Sequence, residues 1–435
     1  MLSRFGKRRV FYGWVIVGTA FSMNFASLPL NAAIFSLFVT PMTEDLGWSR
    51  SDISWSFTLR LGITGLSGPI LGILLDRFGP RIVGTLAGIL GGLMVLGLAG
   101  VNSLPALYLL FALSGIAGFG GPSGQLLTTV PVSKWFHLNR GRALAIASIG
   151  LPIGATFFIL LEQALIDGIG WREAWAISGV ISLVMIVLPC ALLMRKDPES
   201  MGLHPDGLDH APVVSEAEDN EQDMATSENW TMAQVIRSPA MWKITLALAF
   251  TGLVLPGTAV YRVAFWQDQG ISPGVVAAAT TLDALAGLVS MVVFGFISER
   301  VQTRWIGLAG GVLVGCSTLA MIFASDSLVL LVLYNTLWGT GMGAHLTFNN
   351  IVWPNYFGRR FVGSIRGLVF PIIIGASAVS APLFAALLDA AGDERQVWIV
   401  TMAAFLIAGV LMGSAKRPRL PAQTVNVAAP GAASA

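Results

Sequence analysis

Along this chain apolar residues come in blocks of about twenty, separated by short turns rich in Gly, Pro and charge. A helix of that length crosses a hydrocarbon layer of about 30 Å. The pattern predicts twelve such spans, at about 12–38, 52–75, 80–101, 105–131, 141–166, 171–194, 240–267, 274–297, 305–325, 328–353, 362–388 and 396–414. One stretch breaks the rhythm: residues 195–238 hold the acidic run SEAEDNEQD and no apolar period, which predicts a mobile polar linker between six spans and six.

Inside the blocks, polar residues fall in stripes. Span 2 carries Asp52, Ser56, Arg60, Thr64 and Ser67 at steps of four, four, four and three, one line on one helix face. Span 8 carries Thr280, Asp283, Gly287 and Ser290, and similar sets occur as Asn24, Ser27 and Asn31 in span 1, Gln125 and Thr128 in span 4, and Thr251, Thr258 and Arg262 in span 7. Span 10 adds Asn335, Trp338, Met342, His345 and Asn349, and span 11 adds Arg366, Phe370 and Ser377. Polar groups are costly against lipid, so the stripes predict one central cavity, although the Ser and Thr positions fit helix packing equally well. Arg60 lies eight residues beyond Asp52, about 12 Å of helix rise, too deep to reach the aqueous layer. Glu162 and Arg262 sit within about two turns of an outer helix end, where a long side chain reaches water, so a structural or gating role fits them as well as ligand contact.

Composition agrees: 54% of the 435 residues are hydrophobic and only 11% charged, against about a quarter charged in soluble domains. A net charge of +2 gives no reason to expect nucleic acid as a partner. Most of the 26 Lys and Arg fall on alternate loops, while the other loops keep Arg50, Arg172 and Arg395, which predicts both termini in the cytoplasm and a multi-pass protein of the cell inner membrane. The opening MLSRFGKRRV is basic like a signal peptide, but the apolar run behind it is too long and lacks a small-residue cleavage site, so it reads as an uncleaved first span. Cys190 and Cys316 lie in apolar runs without motif spacing and read as core residues. His345 has no Cys, Asp or Glu one turn away, so no metal site is expected. The GTGMGA run at Gly339–Ala344 lies within a span with no strand before it, and no soluble segment is long enough to enclose an enzyme core. The expectation is a non-enzyme without cofactor.

Shifting the second half back by 223 positions sets Gly270 on Gly47, Ser272 on Ser49, Gly295 on Gly72, Glu299 on Asp76 and Arg300 on Arg77, and sets Asp283 on Arg60. At 222, Gly363 falls on Gly141 and Asp389 on Asp167; at 221, Phe357 falls on Phe136. The expected organisation is therefore an all-α membrane protein of two pseudo-symmetric six-helix halves, residues 1–194 and 239–415, with a linker at 195–238 and a cytoplasmic tail at 416–435.

The stretch GILLDRFGPR, Gly72–Arg81, resembles the loop between the second and third helices of the major facilitator superfamily. Within it the chain is similar to the monocarboxylate transporter and oxalate/formate exchanger branch, on FYGW at Phe11–Trp14, KWFHLNRGRALAIASIGLPIG at Lys134–Gly154 and DPESMGLHPDG at Asp197–Gly207. The resemblance implies alternating access, with Asp76, Arg77 and Arg81 in a gating latch where Asp76 caps a helix end and pairs with a neighbouring Lys or Arg. It also has departures. The acidic residue before the first signature of animal members is missing, their first-helix lysine falls at Asn31, and the arginine one turn after their helix-8 aspartate, here Asp283, is Gly287. Gly141, Gly150 and Gly154 match part of an antiporter glycine pattern, but Ala155 stands where its proline belongs.

The reading at this stage is a secondary transporter of a small organic anion, a mono- or dicarboxylate, coupled to protons or to a counter-anion. Arg60, Asn24, Asn31, Gln125, His345, Asn349 and Arg366 are its candidate substrate contacts, Asp283 and Glu162 its candidate coupling sites, and Asp76, Arg77, Arg81 and Arg262 its candidate gate. Arg60 and Asp283 are expected at matching depth, facing across the cavity. Efflux of an amphipathic or cationic compound, a non-transporting sensor and a structural membrane protein remain as alternatives.

Overall fold

Where the apolar blocks end, short signals stop one helix and start the next. Ser49 and Asp52 form a reciprocal cap, Ser49 Oγ accepting from the Asp52 amide and Asp52 from the Ser49 amide. Gly47 before it has φ 69°, and its counterpart Gly270 has φ 88°, so the repeat extends to the backbone of the turn.

The computed structural model describes residues 11–118, 124–208, 230–323, 327–391 and 394–418. The acidic run SEAEDNEQD, most of the tail expected from residue 416 and the side chain of Asp389 lie outside the described residues. In the first half, α1 (Gly13–Ala26), a 3₁₀ turn (Leu28–Leu30) and α2 (Ala32–Leu46) form the first span. Then come α3 (Arg50–Phe78), α4 (Pro80–Leu98), α5 (Leu104–Ile116) with α6 (Gly124–Trp135), α7 (Arg140–Ile169), and α8 (Trp171–Ser182) with α9 (Leu188–Leu193). The short α10 (Met232–Arg237) leads into the second half: α11 (Pro239–Asp268), α12 (Pro273–Ile297), α13 (Thr303–Ile322), α14 (Leu328–Phe357), α15 (Val362–Ala391) and α16 (Glu394–Ser414). Among the described residues, ten helical stretches are long and apolar enough to cross a membrane. The other two spans are α5 with α6, and α14, which carries Asn335, His345, Asn349 and Asn350. Leu66, Leu86, Leu160, Val329 and Val410 are more than half exposed on the outside of the bundle, as a surface solvated by lipid requires.

The two halves meet along two equivalent seams. A Cβ on Gly72 would lie 2.2 Å from the Gly363 carbonyl oxygen, and one on Gly141 would lie 2.2 Å from that of Gly295. The same offsets of 223 and 222 relate these pairs, so α3 on α15 and α12 on α7 are one contact made twice. Only the missing Cβ lets the backbones come this close. Both seams lie at the end of the bundle where Phe11 stacks on Trp135 and Phe136, and where the Tyr356 hydroxyl donates to the Ala415 carbonyl at 2.6 Å. Both ends of the described chain are there, and we call it the terminal face.

The linker expectation needs revision at its edges. Residues 195–208 lie against the terminal face, where the Asp206 carboxylate accepts from the amides of His137, Leu138 and Asn139 at 2.7, 2.8 and 3.1 Å. A carboxylate that satisfies three consecutive amides just before α7 fixes that turn as an N-cap would.

The seam geometry leads to a size test. In a background without Cys190 and Cys316, a cysteine at Ser148, which is buried across the seam from Asn350, should react with an impermeant maleimide at the terminal face more than about tenfold faster in Gly72→Leu. Gly62→Leu, which has open space at its Cβ, should change the rate less than about twofold.

Candidate functional site

Arg60 comes first, because a guanidinium at mid-depth must find acceptors. The 3₁₀ turn at Leu28–Leu30, with Pro29 inside it, interrupts the first span, and Arg60 Nη1 donates to the Leu30 carbonyl at 2.6 Å. The guanidinium carbon also lies 5.4 Å from the Phe57 ring, and the residue is only 3% exposed. Further along the stripe, the hydroxyls of Thr64 and Ser67 donate to the Gly115 carbonyl at 3.4 and 3.2 Å, and the Tyr108 hydroxyl of α5 donates to the Asp52 carbonyl at 3.0 Å. This polar face of α3 therefore packs on α5 within its own half. The glycine face, Gly65, Gly68 and Gly72, meets α15 of the other half.

Beside that break lies a cavity of about 440 Å³ between helices of the first half. Its polar lining includes Asn24, Ser27, Asn31, Gln125 and Thr128, and the described lining carries no charged residue. Asn24 is braced, Nδ2 donating to the Ala147 carbonyl at 2.8 Å and Oδ1 accepting from Thr128 at 3.2 Å. Arg366 of α15 reaches the same helix from across the seam, where its Nη1 donates at 2.7 Å to Thr129 Oγ1, which donates in turn at 2.7 Å to the Gln125 carbonyl. Arg366 is 1% exposed, and its Nε and Nη2 have no hydrogen-bond partner among the described residues. It is buried in the seam, whereas its place in the opening turns of span 11 also fitted a solvated helix-end charge.

In the second half, Asp283 has a partner that the sequence did not identify. Arg262 Nη2 of α11 donates to Asp283 Oδ2 at 2.8 Å, while its guanidinium lies 5.3 Å from the Trp338 ring. A Cβ at Gly287 would be 3.3 Å from the Gly339 carbonyl oxygen, so α12 and α14 pass close to each other there. His345 and Asn349 are half-buried on α14. Glu162 is 0% exposed within the first half and accepts from the Ser178 hydroxyl of α8.

At the terminal face the carboxylate of Asp76 accepts from both the amide and the hydroxyl of Ser364 at 2.8 Å, and Lys134 lies 3.7 Å away. Ser364 is in the first turn of α15, so one half caps a helix of the other and places negative charge at its amide end. Arg81 Nε instead donates to the Ala191 carbonyl at 2.7 Å, and Arg77 lies over its neighbour Phe78, so both remain within the first half.

Sequence reasoning missed the mirror image of this contact. Arg142 donates to Glu299 at 2.7 Å through Nε, and the same carboxylate oxygen takes Nη2 at 2.5 Å. The signal was present in the repeat, where 223 maps Asp76 to Glu299 and 222 maps Arg142 to Ser364. Two more cations were missed. Arg359 donates to the Lys134 carbonyl at 2.6 Å and pairs with Glu199 at 3.1 Å, and Arg140 bonds the side chain of Asn355 across the seam. Among the described residues, no group of three or more His, Cys, Asp or Glu could hold a metal ion.

A family model described as the Major Facilitator Superfamily matches residues 20–375. Rat monocarboxylate transporter 13 is 27% identical over 92% of this chain and 87% of its own length. The oxalate:formate antiporter of Oxalobacter formigenes is 25% identical over 76% of this chain and 75% of its own. Among solved structures, the proton:xylose symporter XylE superposes with a TM-score of 0.70 at 13% identity, covering 92% of this chain and 95% of that one. The Escherichia coli fucose:proton symporter does so at 0.66 and 13%, covering 92% and 98%.

If Asp76 and Glu299 hold equivalent closures, Asp76→Asn and Glu299→Gln should each speed maleimide labelling of Ser148→Cys from the terminal face. The expected factor is about five- to tenfold each, in line with about 1 kcal/mol or more for a charge-assisted hydrogen bond. The factors should multiply in the double variant. Labelling unchanged by either substitution would remove that contact from the closure.

Proposed function

The chain belongs to the Major Facilitator Superfamily and is a multi-pass membrane transporter, not an enzyme; from that premise we propose that it carries a small organic anion, a mono- or dicarboxylate, across the cell inner membrane by alternating access. The terminal face is the cytoplasmic one in this reading. The observation that carries it is Arg366, a guanidinium buried to 1% exposure with a neutral hydroxyl as acceptor and no ion pair among the described residues. An uncompensated buried charge costs several kcal/mol, and a planar anion that accepts from its free N–H groups offsets that cost. The two relatives whose names specify carboxylate substrates support the choice of anion.

In this reading, the substrate occupies the first-half cavity, oriented by Asn24, Asn31 and Gln125 of its wall, and passes to Arg366, which bonds one turn along α6 from Gln125, with His345 and Asn349 of the second half as further contacts once the halves part. Arg60 contributes its field from beside the rim, since its acceptor Leu30 sits between the lining residues Leu28 and Asn31. Asp283 is the coupling site, with Arg262 as counter-ion: a proton on Asp283 abolishes the pair and frees a second guanidinium for the substrate. Glu162 is a second carboxyl in the first half available to a proton. Asp76 with Lys134, and Arg142 with Glu299, form the cytoplasmic gate, while Arg77 and Arg81 hold the loop that presents Asp76.

A second reading is favoured by the lack of charge among the described lining residues of the cavity, which suits an amphipathic compound. Proteoliposomes separate the two. Wild-type protein should take up labelled lactate or oxalate, and Arg366→Gln should lower kcat/KM at least about a hundredfold, nearly 3 kcal/mol of lost stabilisation. Uptake of ethidium with no uptake of either carboxylate would favour the second reading. Loss of oxalate with lactate spared would make Arg366 one cation of a two-cation site.

Asp283→Asn should keep lactate exchange but lose accumulation against a gradient when the pH difference is imposed. Accumulation that persists in this variant would remove Asp283 from coupling. Asp76→Asn should slow uptake while changing directly measured affinity less than about twofold. A tenfold loss, about 1.4 kcal/mol, would assign Asp76 to binding instead.

A further inference from the structure

At the terminal face, three cations that cross or border the seam each meet an acid. Lys134 has Asp76, Arg142 has Glu299, and Arg359 has Glu199. Arg140 is different. It is 3% exposed, its Nε donates to the Phe136 carbonyl at 3.1 Å, its Nη1 bonds Asn355 Oδ1, and its Nη2 has no hydrogen-bond partner among the described residues. Both acceptors are neutral, and no carboxylate forms an ion pair with it among the described residues. The seam supplies acids to Lys134, Arg142 and Arg359 but leaves this one, like Arg366, with an open donor.

The position of Arg140 adds a direction. Gln125 lines the cavity, Thr129 one turn on holds Arg366, and the Phe136 carbonyl, seven residues further, holds Arg140. Positions 125, 129 and 136 recur at steps of four and seven, so they share a helix face, and the rise from Thr129 to Phe136 is about 10 Å. Two buried guanidiniums with unused N–H groups thus stand in file along one side of α6 and its end, between the cavity and the terminal face. Asn355, the acceptor of Arg140, belongs to the opposite half and is itself braced on Thr303 Oγ1 at 2.9 Å, so parting of the seam removes it and leaves Arg140 with further free donors.

We propose that Arg140 is a second anion station on the substrate's path: when the seam opens at the terminal face, it takes the carboxylate from Arg366 and presents it to the cytoplasm, and it receives anions entering from that side. Its bond to Asn355 is the resting partner, exchanged for the anion in the open state. The inference rests on the proposed carriage of organic anions and assigns it a further residue.

The test separates the two faces. In inside-out membrane vesicles, the apparent KM for labelled lactate or oxalate presented at the terminal face should rise about tenfold in Arg140→Gln, and Arg140→Lys, which keeps a charge, should recover most of it. In right-side-out vesicles the KM of Arg140→Gln should stay within about twofold of wild type. Asn355→Ala removes the hydrogen-bond partner but keeps the cation, so it should leave the terminal-face KM within about twofold although gate closure weakens. If Asn355→Ala raises that KM as Arg140→Gln does, or if the KM rises equally at both faces, Arg140 is a gate bolt and the station is overturned. Should Arg140→Gln fail to fold, Arg140→Lys and Asn355→Ala still decide, because the bolt requires both to be impaired. Wild-type protein that carries neither carboxylate would overturn the anion reading itself, and this inference with it.

Discussion

A guanidinium taken out of water must find acceptors, and inside a bundle of apolar helices acceptors are scarce. Four arginines meet this constraint in three ways. Arg60 uses a carbonyl at a broken helix, and Arg262 uses the carboxylate of Asp283. Among the described residues, Arg366 and Arg140 have only neutral hydrogen-bond partners on the seam between the halves. In the proposed function, an anion completes those donors where the two halves meet.

The duplication explains why closure is balanced and binding is not. Asp76 with Ser364 and Glu299 with Arg142 occupy equivalent places, and the glycine pairs behind them allow the same backbone approach. Two like contacts on opposite sides of an axis close one face without tilting either half. The interior breaks that symmetry: the first half holds an amide-lined cavity with no charge in its described lining and Arg60 on a carbonyl, and the second holds the Arg262–Asp283 pair. In the proposed function the two interiors divide the work: the neutral amides orient the ligand, and the ion pair responds to a proton.

The segment after α9 adds an order to the face. Asp206 gathers the amides before α7, and that turn carries Arg140 and Arg142 into the seam, while Glu199 holds Arg359. One short strap thus positions cations of both halves. The positive φ of 58° at Asp206, which favours glycine or a short polar side chain, is consistent with a residue kept for its carboxylate.

The spans, their grouping in two halves and the equivalence of Asp76 with Glu299 were legible in the chain, because lipid imposes a length on every helix and a duplication leaves its offset in the glycines. The stripe through Arg60 was legible too, but not its direction. A helical period tells which residues share a face, never what that face meets, and on α3 the polar face turned to α5 while the glycine face met the other half. The partner of Asp283 lay 21 residues away on another helix, in reach only once α11 and α12 had packed side by side. Arg366 was a candidate substrate contact that fitted a helix-end charge as well, and Arg140 looked like an ordinary basic residue near a helix end; sequence cannot weigh the solvation of either. Their burial was decided by the close approach of two glycine-lined seams, which is a property of the assembled bundle and of no single stretch of chain.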